Sequence, residues 1–207
     1  MIVFDNVTLT INGKTVIRDF SLDVRAGEKV VIRGRSGIGK STIFRLILGF
    51  LSPEDGRLLL HGKPLDKDNV WSMRKKVAYV SQDLDIGEGT VRQIIDRAFC
   101  FKVNNRLKPS HNDVDSLLDF FELKKDILTE DFAGLSGGEK QRISIILAVL
   151  MKRDIFLLDE ATSALDGDLK GKVIGYFLNT QDWTVISISH DDAWLADGVK
   201  VVSLGAL

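Results

Sequence analysis

Apolar and polar residues alternate along the first eighty positions in the way that is typical of β-strands. Residues 2–11 alternate, Asn12-Gly13 is a strong signal for a tight hairpin turn, and residues 15–24 predict the returning strand. Further short strands are predicted at residues 29–32, 57–61 and 76–80. We therefore expect the opening of the chain to be mostly antiparallel, unlike a plain doubly wound sheet.

The pattern changes to helical spacing between residues 90 and 152. Apolar residues there recur three and four positions apart, which predicts two or three helices and no strand. Strands return at residues 155–158 and 184–189, with a helix at 169–178 between them and a last short strand at 199–204. Strands that alternate with helices imply a parallel sheet, so the second half of the chain indicates an α/β core.

The length of 207 residues suits one domain with an inserted lobe. We predict a single domain, residues 1–207, whose core and antiparallel β part comprise residues 1–82 and 153–207. The helical stretch between them, about residues 83–152, is predicted to form an inserted helical subdomain.

Charge and cysteine content narrow the class of protein. Lys and Arg total 28 against 29 for Asp and Glu, so there is no basic field that would indicate nucleic acid. Cys100 is the only cysteine and cannot form an internal disulfide. The first ten residues lack the pattern of a signal peptide, and the most apolar stretch, residues 143–151, is too short to span a bilayer. We expect a cytoplasmic protein that reaches a membrane only through a partner.

The clearest chemical motif is GRSGIGKST at residues 34–42, which fits the phosphate-binding pattern G-x-x-x-x-G-K-[ST]. A predicted strand precedes it and a predicted helix follows, which disfavours a chance match in a Gly-rich turn. Its glycines let successive N–H groups face phosphate oxygens, and the helix N-terminus adds partial positive charge. Lys40 would reach the terminal phosphates, and the Ser41 hydroxyl would ligate Mg²⁺. The candidate nucleotide-binding residues are Gly34, Arg35, Ser36, Gly37, Ile38, Gly39, Lys40, Ser41 and Thr42.

The apolar strand at residues 155–158 ends in two carboxylates, Asp159 and Glu160. A strand that is apolar on both faces lies inside a sheet, and its carboxyl end opens into the ligand crevice. Asp159 would lie beside the Mg²⁺ held by Ser41, and Glu160 would orient and deprotonate an attacking water. A solvated acidic pair is the alternative, and the phosphate loop disfavours it.

Ser136-Gly137-Gly138 is a second candidate phosphate site, because it stands directly before a predicted long amphipathic helix. Two sites for a terminal phosphate in one chain make sense if the second serves the nucleotide of another molecule. A plain helix cap is the alternative, and the local pattern leaves both interpretations open.

Taken in order, these motifs resemble the ATP-binding cassette (ABC) ATPases, the motor subunits of ABC transporters. The phosphate loop is similar to the Walker A motif of this family, residues 135–139 to its signature motif, and residues 155–159 to Walker B, followed by Glu160 as catalytic base. The remaining matches are Gln82 for the Q-loop, residues 163–166 for the D-loop and His190 for the switch histidine. The resemblance covers nearly the whole chain. It implies a P-loop NTPase (RecA-like) core with an antiparallel β subdomain and a helical subdomain.

The resemblance also implies function. It predicts a subunit that binds and hydrolyses ATP with Mg²⁺ and drives conformational change in a polytopic membrane (permease) partner, at the cytoplasmic face of the inner membrane. It implies that two chains, a homodimer or a pair of related cassettes, enclose ATP between them. The implied catalytic residues are Lys40, Gln82, Glu160 and His190; the Mg²⁺ ligands are Ser41, Gln82 and Asp159; the further nucleotide contacts are Ile11, Val16, Ser136, Gly137 and Gly138.

Within the family, the spacing after Gln82 resembles that of exporters. The chain also resembles small bacterial cassettes suspected of metal or iron export. Three features depart from the family pattern. Ile11 stands where an aromatic residue usually stacks on adenine, with Phe4 as an alternative ring. Arg35 occupies a loop position that is often small or Pro, and the chain stops soon after Leu204, so we expect no C-terminal regulatory domain.

Two other functions compete with a transporter subunit. A soluble ABC-type ATPase acting on DNA or ribosomes would carry a long coiled coil or two cassettes, and neither pattern is present. A cassette that only binds ATP is disfavoured by Lys40, Glu160 and His190. Within the insert, the apolar cluster of Phe99, Cys100 and Phe101 would either line a groove for a helix of the membrane partner, formed with the Gln82 loop, or pack the helical subdomain.

Overall fold

The first sheet is antiparallel and begins at the start of the chain. The computed structural model describes residues 2–205, so the predicted domain limits at residues 1 and 207 lie outside it. Asn12 and Gly13 both have positive φ, 51° and 75°, as the tight hairpin between the first two strands requires. The strands are β1 (Ile2–Ile11), β2 (Lys14–Val24), β4 (Asp55–Leu60) and β5 (Lys63–Pro64), in the order β2-β1-β4-β5.

The second sheet is parallel and carries the strand ends on which the candidate site is built. Its strands are β3 (Lys29–Arg33), β6 (Val77–Val80), β7 (Ile155–Asp159), β8 (Thr184–Ile188) and β9 (Val199–Ser203), in the order β6-β7-β8-β3-β9. Every residue of β7 and β8 is buried, as expected for strands that are apolar on both faces. The predicted combination of an antiparallel sheet with a parallel α/β core is confirmed.

Helices cover both faces of the parallel sheet. One core cluster joins a sheet face to the helices between residues 91 and 150, and the other joins the opposite face to the antiparallel sheet. The helices are α1 (Lys40–Ile47), α2 (Val70–Arg74), α3 (Val91–Cys100), α4 (His111–Phe120), α5 (Gly137–Leu150) and α6 (Gly167–Asn179). Among the described residues, none of these helices combines the length and apolar character needed to cross a bilayer.

The sequence pattern misplaced a few elements. The short β5 and α2 were not predicted, because two and five residues are too short for periodicity to register. Gly137 and Gly138 were placed before a helix, but they are its first two residues, with Ser136 as N-cap. The prediction that this helix is amphipathic is also wrong. It is buried around most of its circumference, because it packs under the parallel sheet as well as against the other helices.

Candidate functional site

Three neighbouring strands of the parallel sheet bring the candidate residues to one edge. β8 lies between β3 and β7, and all three run in the same direction. β3 leads into the phosphate loop, β7 ends at Asp159 and Glu160, and β8 is followed by Ser189 and His190. Residues that are more than 150 positions apart in the chain therefore meet at the carboxyl edge of one sheet, where ligands of open α/β folds bind.

The phosphate loop adopts a backbone that only glycine holds without strain. Gly37 and Gly39 have φ of +78° and +106°, and Gly39 is the N-cap of α1. No acidic residue lies in the first turn of α1, so no carboxylate there competes with an anion for the N-terminal N–H groups. A side chain at Gly39 would lie 2.9 Å from Val16 Cγ1, so the loop is pressed against β2.

Lys40 is buried and faces back over the loop. Its Nζ donates hydrogen bonds to the carbonyl oxygens of Gly34, at 2.7 Å, and Arg35, at 3.0 Å. The same Nζ lies 3.3 Å from Nε2 of His190. The cation is therefore fixed at the mouth of the loop, where the terminal phosphates of a nucleotide would need it.

An open cleft of about 380 Å³ lies beside the loop. It brings together most of the predicted residues: Ile11, Val16, Ser36, Gly37, Gly39, Lys40, Ser41, Thr42, Gln82, Asp159 and Glu160. The other predicted residues do not line it: Gly34, Arg35, Ile38, Ser136, Gly137, Gly138 and His190. Phe4 is only 1% exposed and packs edge-on against Phe20, so the alternative of Phe4 as the adenine ring is wrong.

Asp159 is a buried carboxylate that suits a divalent cation. It is 3% exposed, and burial raises its pKa, an effect that hydrogen bonds from Ser41 and Tyr79 partly oppose. Tyr79 Oη lies 3.4 Å from Asp159 Oδ2. A buried carboxylate, a hydroxyl and the nearby Gln82 amide are hard oxygen donors, and Mg²⁺ is usually held by one or two carboxylates together with substrate phosphates. The residues present therefore fit Mg²⁺.

Glu160 and His190 face each other across the strand ends. Nε2 of His190 lies 3.9 Å from Oε1 of Glu160, whose side chain is 27% exposed. The Glu160 backbone is left-handed, with φ of +50°, and its N–H donates to the carbonyl of Ile188 at 2.9 Å. Arg33 donates to the His190 carbonyl at 2.8 Å and pairs with Asp192, which fixes the loop after β8.

The second candidate phosphate site is a capped helix N-terminus on the surface. Ser136 and Glu139 form a capping box, in which Ser136 Oγ donates to Glu139 Oε2 at 2.6 Å. These hydrogen bonds lower the pKa of Glu139. Ser136 and Gly137 are exposed and lie outside the cleft. The cap is thus present in the structure, and the exposed position is also the one that a second molecule could reach.

Comparison with known proteins decides the family. The model of the family described as "ABC transporter" matches residues 17–163, well over half of the chain. The chain belongs to the ABC transporter family. Members of this family act as ATP-binding subunits that hydrolyse ATP, and the cassette described here is an ATPase of this kind.

Individual relatives agree with this assignment. The energy-coupling factor transporter ATP-binding protein EcfA1 of Streptococcus mutans is 37% identical over 202 residues, covering 94% of the cassette and 71% of the relative. A dimeric bacterial ABC transporter cassette, MJ0796, superposes with a TM-score of 0.84 at 25% identity over 100% of this chain and 96% of that one. A bacterial Atm1-family ABC exporter with ATP bound gives a TM-score of 0.85 at 29% identity, over 99% of this chain and 38% of that one.

Two cations of the cassette's cleft were missed from the sequence. Lys14 and Arg45 line it together with Lys40, and this excess of positive charge suits a polyphosphate. Arg45 could have been found, because it lies four residues after Ser41 on α1 and so shares its face. Lys14 could also have been found, because Ile11 and Val16, the nucleotide contacts that the resemblance implies, lie on either side of it in the β1–β2 hairpin.

Proposed function

We propose that the cassette hydrolyses Mg²⁺-ATP in the cleft beside the phosphate loop and that this hydrolysis drives a separate membrane-spanning partner. The observation that carries the proposal is the meeting of Lys40, Asp159, Glu160 and His190 at the ends of three adjacent strands. A phosphate-binding cation, a buried carboxylate and a more exposed carboxylate are the groups that phosphoryl transfer to water requires.

Each residue then has a chemical role. Residues 34–42, with Arg45 and Lys14, bind and orient the phosphates, and Lys40 exchanges its loop carbonyls for phosphate oxygens. Ser41, Asp159 and Gln82 would hold Mg²⁺, which neutralises charge on the phosphates when it is bound. The Glu160 carboxylate accepts the proton of the attacking water, and His190, beside Lys40, donates a hydrogen bond to the γ-phosphate. Ile11 and Val16 contact the nucleobase.

We propose further that two cassettes, a homodimer or a pair of related chains, close head to tail around ATP. The exposed Ser136 and Gly137, with the half-buried Gly138, would then contact the nucleotide bound by the other chain. Their position outside the cleft supports this arrangement, as does the dimeric cassette MJ0796 among the structural neighbours. The stretch 83–152, whose helices are α3 to α5, is proposed to form the helical subdomain that carries this motif and moves about Gln82.

The proposed partner is a membrane component of the energy-coupling factor type, which would hold the cassette at the cytoplasmic face of the membrane. EcfA1 of Streptococcus mutans is named for such a transporter and is 37% identical over 94% of the cassette, whereas the exporter neighbour is 29% identical. This favours the energy-coupling factor type over the exporter suggested by the spacing after Gln82. The balanced charge gives no support for nucleic acid as a partner.

The test of hydrolysis is Glu160→Gln, with Glu54→Gln in an exposed turn as a matched control. Loss of a general base lowers turnover by about 10²- to 10⁴-fold. ATP binding by the variant should persist, and closed dimers should accumulate in size-exclusion chromatography with Mg²⁺-ATP. Normal turnover by Glu160→Gln would remove Glu160 from the role of base.

The test of the shared site is a mixture of two inactive proteins, Lys40→Ala and Ser136→Arg. In a mixed dimer one site carries both lesions and the other carries neither, so activity should reappear on mixing. A protein that stays monomeric with ATP in the Glu160→Gln background, while the wild type hydrolyses at a rate linear in its concentration, would refute the shared site.

A further inference from the structure

Gln141 is a buried polar side chain that the proposed mechanism does not yet use. It lies on α5, one turn after Gly138, and only 2% of its surface is exposed. Its Nε2 donates to the backbone carbonyl of Glu160 at 3.0 Å and lies 3.4 Å from Ser163 Oγ. Its Oε1 accepts from the N–H of Ala164 at 2.9 Å. One amide therefore connects α5 to both ends of the turn that follows β7.

Gln141 donates to the backbone of Glu160, and the backbone conformation sets the direction of the Glu160 side chain. A left-handed backbone is unfavourable for a residue other than glycine and persists only when its surroundings hold it. The structure holds Glu160 from two sides. Its N–H donates to the carbonyl of Ile188 in β8, and its C=O accepts from Gln141 Nε2 and also from the N–H of Ser163, each at 3.0 Å. Without Gln141 the Glu160 carbonyl would be bonded only within its own turn, to Ser163, and the hydrogen bonds that tie the turn to α5 through Gln141 would be lost; the direction of the carboxylate would then be held less firmly.

Close packing of α5 on the turn makes this reach possible. A Cβ added at Gly138 would lie 3.1 Å from the carbonyl oxygen of Ala164, so the first turn of the helix rests directly on the turn after β7. At this separation a glutamine side chain spans the gap and satisfies the Glu160 carbonyl and the Ala164 N–H together. Both hydrogen bonds are part-buried, so an apolar side chain at position 141 would lose them with only partial replacement by water.

We propose that Gln141 is a positioning residue for ATP hydrolysis, whose amide fixes the Glu160 backbone so that the carboxylate faces the attacking water. This rests on the proposed function, in which Glu160 is the base. Gln141 itself touches neither ATP nor water in this role. Because it belongs to the helix that Ser136 caps, it also holds the base in register with the surface proposed to meet the second nucleotide.

The first experiment compares Gln141→Met and Gln141→Glu with the wild type in steady-state ATP hydrolysis by the full chain. Methionine keeps the length but has no amide, and glutamate keeps the acceptor for Ala164 N–H but loses the donor to Glu160. Misplacing a catalytic group by about 1 Å costs about 10²-fold, so we expect kcat to fall by about 10- to 100-fold with KM for ATP nearly unchanged. Ser144→Ala is the control: its buried hydroxyl donates to Lys140 O within the same helix, and turnover should be retained.

The second experiment repeats Gln141→Met in the Glu160→Gln background, with residual hydrolysis followed for hours by radiolabelled ATP. If Gln141 acts through Glu160, the substitution should cause no further loss there. Equal fold-losses in both backgrounds would overturn the proposal and leave Gln141 a structural residue, as would wild-type kcat in both Gln141 variants. Circular dichroism and thermal unfolding check the fold; Gln141→Glu keeps one hydrogen bond and serves if the methionine variant does not fold. If the proposed function itself is wrong, Glu160→Gln will hydrolyse ATP at the normal rate, and this result distinguishes that outcome from an error in the role of Gln141.

Discussion

Substitution of Gly39 by alanine tests whether the phosphate loop is pressed against the β1–β2 hairpin. The added Cβ at Gly39 would lie 2.9 Å from Val16 Cγ1 and 3.0 Å from Val16 O, closer than ordinary contact. Gly37 is a matched control in the same loop. Its φ is also positive, but a Cβ there meets nothing within 4 Å.

The two substitutions share one cost and differ in another. A left-handed backbone costs an L-residue about 1–2 kcal/mol, and this applies to both positions. Overpacking adds about 1–3 kcal/mol, and this applies only at Gly39. We therefore expect Gly37→Ala to lower the free energy of unfolding by about 1–2 kcal/mol and Gly39→Ala by about 2–5 kcal/mol. Since Val16 lines the cleft, only Gly39→Ala should also displace a wall of the nucleotide site.

Urea unfolding of the ligand-free variants measures the first effect, and titration with ATP measures the second. The midpoint should fall further for Gly39→Ala at an unchanged slope, and its ATP affinity should fall more than that of Gly37→Ala. Equal losses of stability would show that the Val16 contact contributes nothing. Wild-type stability and affinity in Gly39→Ala would refute the close approach of loop and hairpin altogether.

Three further predictions follow from single side chains. Ile11→Tyr gives the cleft a ring to stack on adenine and should tighten ATP by about 0.5–1.5 kcal/mol in calorimetric titration; an unchanged affinity would place the base elsewhere. Asp159→Asn removes a buried charge, so it should stabilise the ligand-free protein against urea at neutral pH. This gain should disappear below the ordinary carboxyl pKa, where the wild-type carboxyl is also neutral, and turnover should fall by about 10²- to 10³-fold. A variant that is less stable than the wild type at neutral pH would contradict the argument from burial. Phe101 is 61% exposed, so Phe101→Asp should change stability by at most about 0.5 kcal/mol while weakening capture of the proposed membrane partner. Phe99 is 5% exposed, so Phe99→Asp should unfold the protein. Retained capture by Phe101→Asp would place the partner's contact elsewhere.

The parts of the site that lie on consecutive residues could be predicted from the sequence. The phosphate loop and the Asp159-Glu160 pair carry their chemistry in local order, next to strands whose apolar runs identify them. Contacts between distant segments could not be predicted in this way. The amide of Gln141 on the Glu160 carbonyl and the carbonyl oxygens that hold Lys40 depend on how helices and strands pack, and residue type alone does not show it. The same limit applies to Phe99 and Phe101, where only the structure assigns one ring to the core and the other to the surface.

The strand order also has a consequence for synthesis of the chain. β3 pairs with β8 and β9, both of which begin at or beyond residue 184 of 207, so it has no partner in its own sheet until almost the whole chain has left the ribosome. At translation rates of roughly 5–20 residues per second, this apolar strand waits on the order of ten seconds. During that time its unpaired edge can join strands of other nascent chains. We expect truncated chains that end before residue 184 to aggregate and to bind chaperones, and the phosphate loop to become competent for ATP only after β8 has inserted between β3 and β7.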